Sequence, residues 1–335
     1  MRRIAIVLFI ASLLTGCYPS GPTPEPSPTA VLRAAAAQLP TVKPSETAEP
    51  TAIPVPTQAL PQYVTAVLVG MDRDREGIGL RTDTFIIVSL RIMPGASQEI
   101  EEAIVLSIPR DTLVDVLVDG SWKKDRINVA YLRGGFDGVR EAVKQNFGLF
   151  VNAGVYGIDF DGLIRVADLL GGLTVVPKET YFDWCGNYKG LLGAGSKGGY
   201  DSNWKAGVEY HMTGAQLLCY IRARTQSDDV ARTRRAQDVL LAMRNDWLPT
   251  IIASPTIWPD LFSLVKTDLQ LSEAMDFLPL ADEFQNGNVP LRMESMEIGR
   301  HLKYGKTATG ASVLVPLVDL KVWANCQVTA GANCP

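Results

Sequence analysis

Three short runs of β-branched and aliphatic residues constrain this chain more than anything else in it: Tyr63–Val69, Thr84–Ile92 and Ala103–Ile108. Each reads as a buried strand. Helical spacing follows. Phe136, Val139, Val143 and Phe147 fall on one helical face. Phe160–Leu170 repeats the period and stops at Gly171-Gly172, and Leu173–Val176 is again strand-like. Thr213 is a suitable N-cap for a helix through Tyr220. Arg232–Leu248 reads as a longer amphipathic helix with Asp228 or Asp229 at its start, and a short helix through Leu280 follows Thr267, Asp268 and Ser272. Interleaved strands and helices predict a layered α/β domain with a mostly central β-sheet. Gly, Tyr and Trp crowd between Tyr181 and Lys205, which predicts a long loop over one face.

The N-terminal segment has a different character. Arg2 and Arg3 precede an apolar run, Ile4–Leu14, too short to span a bilayer. Leu14-Thr15-Gly16-Cys17 resembles a bacterial lipobox, which implies cleavage before Cys17 and lipid on that residue; an ordinary signal peptide with an incidental cysteine is the alternative. Residues 18–61 are dense in Pro, Thr, Ser, Ala and Glu and nearly lack aromatics. Such a segment cannot bury enough apolar surface to offset its ordering entropy, and its prolines favour an extended spacer. The expected organisation is therefore a lipoprotein signal over 1–17, a Pro/Thr-rich disordered linker over 18–61 and one domain over 62–335.

The formal net charge is −4, which opposes a broad nucleic-acid surface. Only two histidines occur, His211 and His301, which excludes a zinc site built on several histidines. No Gly-x-Ser-x-Gly elbow and no Walker-type phosphate loop is present. With Cys17 assigned to lipid, Cys185, Cys219, Cys326 and Cys334 suggest two disulfides in an exported protein. Pairing Cys185 with Cys219 and Cys326 with Cys334 would tie down local loops. A four-cysteine zinc site competes, but the C-x-x-C spacing is missing.

Charge gathers at the strand ends. Asp72 follows the first strand, Arg81-Thr82-Asp83 precedes the second, and Arg110-Asp111 follows the third. Lys124, Asp125, Arg126 and Asn128 come next, then Arg222, Arg224, Arg232, Arg234 and Arg235. Polar groups at the ends of buried strands collect along one sheet edge, where clefts form. Two carboxylates, Asp72 and Asp83, can hold Mg2+ (or Mn2+), which takes its remaining ligands from water and substrate phosphates. Guanidinium groups grip phosphate oxygens in pairs and neutralise charge that develops in phosphoryl transfer. If Cys219–Arg224 runs extended at its end, Arg222 and Arg224 share a face. Arg232 and Arg235 are neighbours on a helix, so both pairs could converge on one anion. Asp72, Asp83 and Asp111 are all candidates to accept a proton. In an exported chain, the phosphate concerned is expected on a lipid carrier.

Six ordered segments resemble the LytR-CpsA-Psr family: Val69-Gly70-Met71-Asp72, Arg81-Thr82-Asp83-Thr84, Leu106–Asp111, Arg126–Tyr131, Asp168–Leu173 and Tyr220–Arg224. The likeness runs from Tyr63 to beyond Leu240, with a weaker echo at Thr267-Asp268-Leu269. It implies a three-layer α/β/α domain that binds a polyprenyl (pyro)phosphate in an apolar groove and transfers a linked glycopolymer to peptidoglycan. It also implies magnesium at Asp72 and Asp83. Phosphate contacts from Arg81, Arg110, Arg222, Arg224 and Arg232 follow, with catalysis centred on Asp72, Asp83, Arg110 and Arg224. Asp229, Arg235 and Gln237 fall in the family's Asp-Phe-Gly-Arg-x-x-Arg-Gln-Gln segment and are expected at the substrate, while Ala236 stands where the first glutamine is expected. The expected location is the extracytoplasmic face of the cell membrane, through a lipid anchor. Pyrophosphate hydrolysis and non-catalytic binding of lipid phosphates or wall polymer are the alternatives.

Overall fold

The structure is a computed structural model that describes residues 62–72, 80–93, 99–184, 201–223, 229–275, 278–286, 289–307, 309–330 and 334. Cys17, Cys185, Arg224 and Asp228, and the linker as a whole, lie outside the described residues.

The three apolar runs become β1 (Gln62–Met71), β2 (Thr82–Ile92) and β3 (Ile100–Ser107). A hairpin follows, β4 (Leu113–Val118) and β5 (Ser121–Arg126), then α1 (Ala130–Phe147), β6 (Val155–Asp159) and α2 (Phe160–Leu169). Next come β7 (Leu173–Val175), β8 (Tyr181–Trp184), β9 (Asp201–Trp204), β10 (Tyr210–Met212), α3 (Gly214–Arg222) and α4 (Asp229–Ala253). The chain continues with α5 (Trp258–Leu264), β11 (Lys266–Thr267), α6 (Leu271–Met275) and α7 (Leu278–Asn286). It finishes with β12 (Leu291–Ser295), β13 (Leu302–Lys306), β14 (Ser312–Pro316) and α8 (Leu320–Thr329).

Six strands form a mixed sheet in the order β11-β6-β1-β2-β3-β12. β2 runs antiparallel to both β1 and β3, while β6 and β12 run parallel to their inner neighbours. The period of two along each strand sorts the core into two sides. Phe85, Ile87, Ile104 and Leu106 pack with Val139, Val143 and Phe147 of α1 and Trp323 of α8. Ile86, Val88, Ala103 and Val105 pack with Leu240 of α4 and Phe284 of α7. Helices on both faces make the three-layer α/β/α architecture that the sequence implied.

A third apolar cluster joins α2, α3, α4 and α5 beside the sheet. Close approach of α2 and α3 depends on Gly214, where an added Cβ would lie 2.3 Å from the Ile164 carbonyl oxygen. The obstacle is backbone, so it cannot swing aside. Gly214→Ala is expected to cost about 1–3 kcal/mol of stability. A urea midpoint equal to wild type would contradict that expectation.

The structure departs from the sequence reading at two places. The stretch from Tyr181 to Lys205 is not all loop, because Tyr181–Trp184 pairs with Asp201–Trp204 as an antiparallel hairpin. The segment after Cys219 does not run extended, because α3 continues to Arg222 under a capping box formed by Thr213 and Gln216. The helix expected through Leu280 is present over α6 and α7, with residues 276–277 outside the described ones. Cys326 and Cys334 are bonded, with Cα atoms 5.6 Å apart, which removes two of the four thiolates a zinc site would need. The companion pairing of Cys185 with Cys219 involves a residue outside the described ones.

The Thr267-Asp268-Leu269 segment has a structural use. The Asp268 carboxylate receives Nε and Nη2 of Arg140, and its other oxygen accepts from the Val155 amide at 3.1 Å. It thereby ties α1 to the start of β6.

Candidate active site

Backbone pairing builds the carboxylate pair. Gly70 pairs with Thr84 and Met71 with Thr82, so Asp83 is the extra residue of a β-bulge. The Asp72 amide then bonds to the Arg81 carbonyl at 2.9 Å, which holds Asp72 beside the bulge. Gly70 suits this close crossing, since a Cβ there would come within 3.1 Å of the Thr84 side chain.

Arg110 is placed by a turn beyond β3. Pro109 O accepts from the Thr112 amide at 3.0 Å and its hydroxyl at 2.7 Å, and the Asn128 amide donates to Arg110 O at 3.1 Å. The side chain of Arg110 reaches Asp83 Oδ1 at 2.7 Å and Asp111 Oδ2 at 3.4 Å. Arg126 Nη1 flanks the other oxygen of Asp111 at 3.5 Å. Burial alone would lower the pKa of Arg110, but the Asp83 and Asp111 carboxylates outweigh it and raise the value.

Arg222 comes in from the far side at the last turn of α3. Its Nη1 lies 3.6 Å from Asp72 Oδ1 and 3.7 Å from Asp83 Oδ2, and its guanidinium carbon sits 4.0 Å above the Phe160 ring. Such a stack orients the guanidinium plane. Phe160 was not singled out from sequence; its position as the first residue of α2, after a strand end, was the available signal. Arg126, Asp111, Arg110, Asp83, Arg222 and Asp72 thus form an unbroken chain of alternating charge.

Three members of this chain, Asp83, Arg110 and Arg222, line a cavity of about 250 Å³, whereas Asp72, Asp111 and Arg126 do not. Asp159 and Arg232 also line it. Apolar side chains line the rest, among them Leu163, Leu218, Leu240, Trp247 and Trp258. Both tryptophans satisfy their indole N–H internally, Trp247 to Gly172 O and Trp258 to Ile251 O, each at 2.7 Å, so their rings present only apolar surface.

The remaining expected site residues are dispersed. Arg81 is exposed and does not line the cavity. Asp229 is the first residue of α4. Gln237 is buried and its amide nitrogen donates to Ser107 Oγ at 3.1 Å, away from the cavity lining. Arg235 does not line the cavity with Arg232; it is fully buried against Tyr181 and Ala223. Arg234 pairs with Glu179 at 2.9 Å on the surface. Arg224 is outside the described residues.

Asp72 and Asp83 fit a divalent cation on the chemistry of the donors. Two hard carboxylate oxygens approach one nitrogen from two strand ends, and a small cation that keeps water and phosphate ligands needs no more from the protein. Among the described residues no group of three or more His, Cys, Asp or Glu could hold a metal.

The domain is an α/β/α fold whose largely apolar cavity is lined by Asp83, Arg110, Arg222 and Arg232. The family model named LytR_cpsA_psr matches residues 36–317, and the chain belongs to that family. It is 29% identical over 257 residues to the polyisoprenyl-teichoic acid–peptidoglycan teichoic acid transferase TagU of Oceanobacillus iheyensis, over 74% of this chain and 69% of that protein. It is 31% identical over 169 residues to the transferase TagV of Bacillus subtilis, over 49% of this chain but 38% of that one. The crystal structure of B. subtilis TagV superposes with a TM-score of 0.58 at 22% identity, covering 76% of this chain and 91% of that one. A structure of TagT bound to LIIa-WTA gives 0.53 at 21% identity, covering 76% and 84%. At these identities the two superpositions speak for the fold.

Proposed function

We propose that this protein transfers a glycopolymer, as a glycosyl-phosphoryl group, from a polyprenyl-pyrophosphate carrier to a sugar hydroxyl of peptidoglycan. The observation that carries this reading is the alternating arginine–carboxylate chain, whose Asp83, Arg110 and Arg222 line a largely apolar cavity. The activities for which the TagU and TagV relatives are named agree with it.

In this reading the polyprenyl chain lies against the apolar lining and the diphosphate against Arg110, Arg222 and Arg232. Asp72 and Asp83 would hold Mg2+ or Mn2+, which would supply charge neutralisation at the phosphates. The acceptor hydroxyl attacks the phosphorus nearest the glycan. A new P–O bond to peptidoglycan forms as the bond to the bridging oxygen breaks, and polyprenyl phosphate leaves. The hydroxyl proton passes to a carboxylate of the cluster. Arg110 is ready for this: its two ion pairs hold the guanidinium still before substrate arrives, so little reorganisation is needed as charge moves to the leaving group. The direct experiment is incubation of purified protein with a polyprenyl-pyrophosphate-linked glycan and peptidoglycan. Appearance of a phosphodiester-linked product supports transfer, and release of polyprenyl phosphate together with a free glycan phosphate, without that product, would indicate hydrolysis.

The chain is further proposed to sit at the extracytoplasmic face of the membrane, anchored through lipid on Cys17. Among the described residues no helix is long and apolar enough to cross a membrane. Cys17→Ala is expected to move the protein from the membrane to the soluble fraction while activity with detergent-dispersed substrate persists. Membrane retention of that variant would count against lipid anchoring.

A further inference from the structure

Arg235 is fully buried, and it is not at the cavity. Its Nη2 donates to the carbonyl oxygen of Ala223, and its guanidinium carbon lies 4.5 Å over the ring of Tyr181. Ala223 is the C-cap of α3, itself fully buried, where the backbone turns out of the helix at φ −48° and ψ 131°. The residue before it is Arg222, which reaches both Asp72 and Asp83. The surroundings are built to keep this contact. Tyr181 and Trp204, from the two strands of the β8–β9 hairpin, pack edge-on against Tyr220 at 6.3 Å and 5.2 Å. Tyr220 donates its hydroxyl to the buried Asp238 of α4 at 2.9 Å.

We infer that Arg235 is a positioning residue that sets Arg222 through the Ala223 carbonyl. The inference rests on the functional reading above and gives Arg235 a different task from substrate contact. A helix ending leaves carbonyls that need donors, and a cation there also complements the helix dipole. Arg235 supplies both from α4, while Tyr181 holds its plane. The end of α3 is thereby fixed to α4 and to the hairpin. A lysine could donate one hydrogen bond but could not stack as a plane over Tyr181.

The test is a double-mutant cycle on the full chain, read as the affinity for farnesyl diphosphate with magnesium by calorimetry, with the melting temperature of each variant recorded. Arg235→Met is expected to weaken binding about tenfold when Arg222 is present and less than about twofold in an Arg222→Ala background, because a residue acting through another loses its effect when that other is gone. Arg235→Lys should recover part of the loss. Equal losses in both backgrounds, or unchanged affinity in a folded Arg235→Met variant, would overturn the inference. If Arg235→Met does not fold, Tyr181→Leu replaces it in the cycle and must show the same coupling; additivity there overturns the inference as well. Wild-type protein that binds no farnesyl diphosphate would instead remove the functional reading on which the inference stands.

Discussion

Arg110→Ala is expected to lower kcat/KM for transfer about 100- to 1,000-fold, the scale seen when one donor to a developing oxyanion is removed. Two losses combine. The cavity lining loses a guanidinium, and Asp83 and Asp111 lose the cation they share. The fold should survive, because the turn at Pro109–Thr112 is held by backbone and hydroxyl bonds that do not involve the Arg110 side chain. Arg110→Lys should recover little, since a single ammonium cannot span both carboxylates in the geometry of a fork. Turnover equal to wild type in a folded Arg110→Ala protein would mean that the chemistry lies elsewhere.

Excess chelator is expected to abolish turnover, with recovery on adding Mg2+ or Mn2+ and no change in melting temperature. Two carboxylates, one of them also paired with Arg110, make a weak site for a bare cation. A diphosphate supplies the missing oxygens, so metal and diphosphate should each tighten the binding of the other. Calorimetry with farnesyl diphosphate, with and without magnesium, reads this coupling without any turnover. Activity that persists in chelator, together with metal-independent diphosphate binding, would remove the metal from the site.

Much of the fold was legible. β1, β2 and β3 stand where the apolar runs stood, and α2 runs from Phe160 nearly to the Gly171-Gly172 stop. Thr213 caps α3 as its position suggested. These are local signals, carried by neighbours along the chain. The C-terminal strands were not legible. β12 is short and partly exposed on every residue, and its place beside β3 depends on pairing that no local pattern announces.

The candidate site divides in the same way. Charge at strand ends could be read directly, because a charged residue after a buried run has to emerge at the sheet edge. Which charges meet could not. Arg232 and Arg235 are equivalent by spacing, yet one lines the cavity and the other is sealed against Tyr181, because a hairpin far away in sequence covers that side of α4. The sequence by itself determined β1, β2 and β3, the principal helices and the gathering of charge at the strand ends. Only the tertiary structure decided that a bulge at Asp83, a helix end at Arg222 and a turn at Arg110 face one another, since side-chain direction at those points is set by pairing and packing between segments that are distant along the chain.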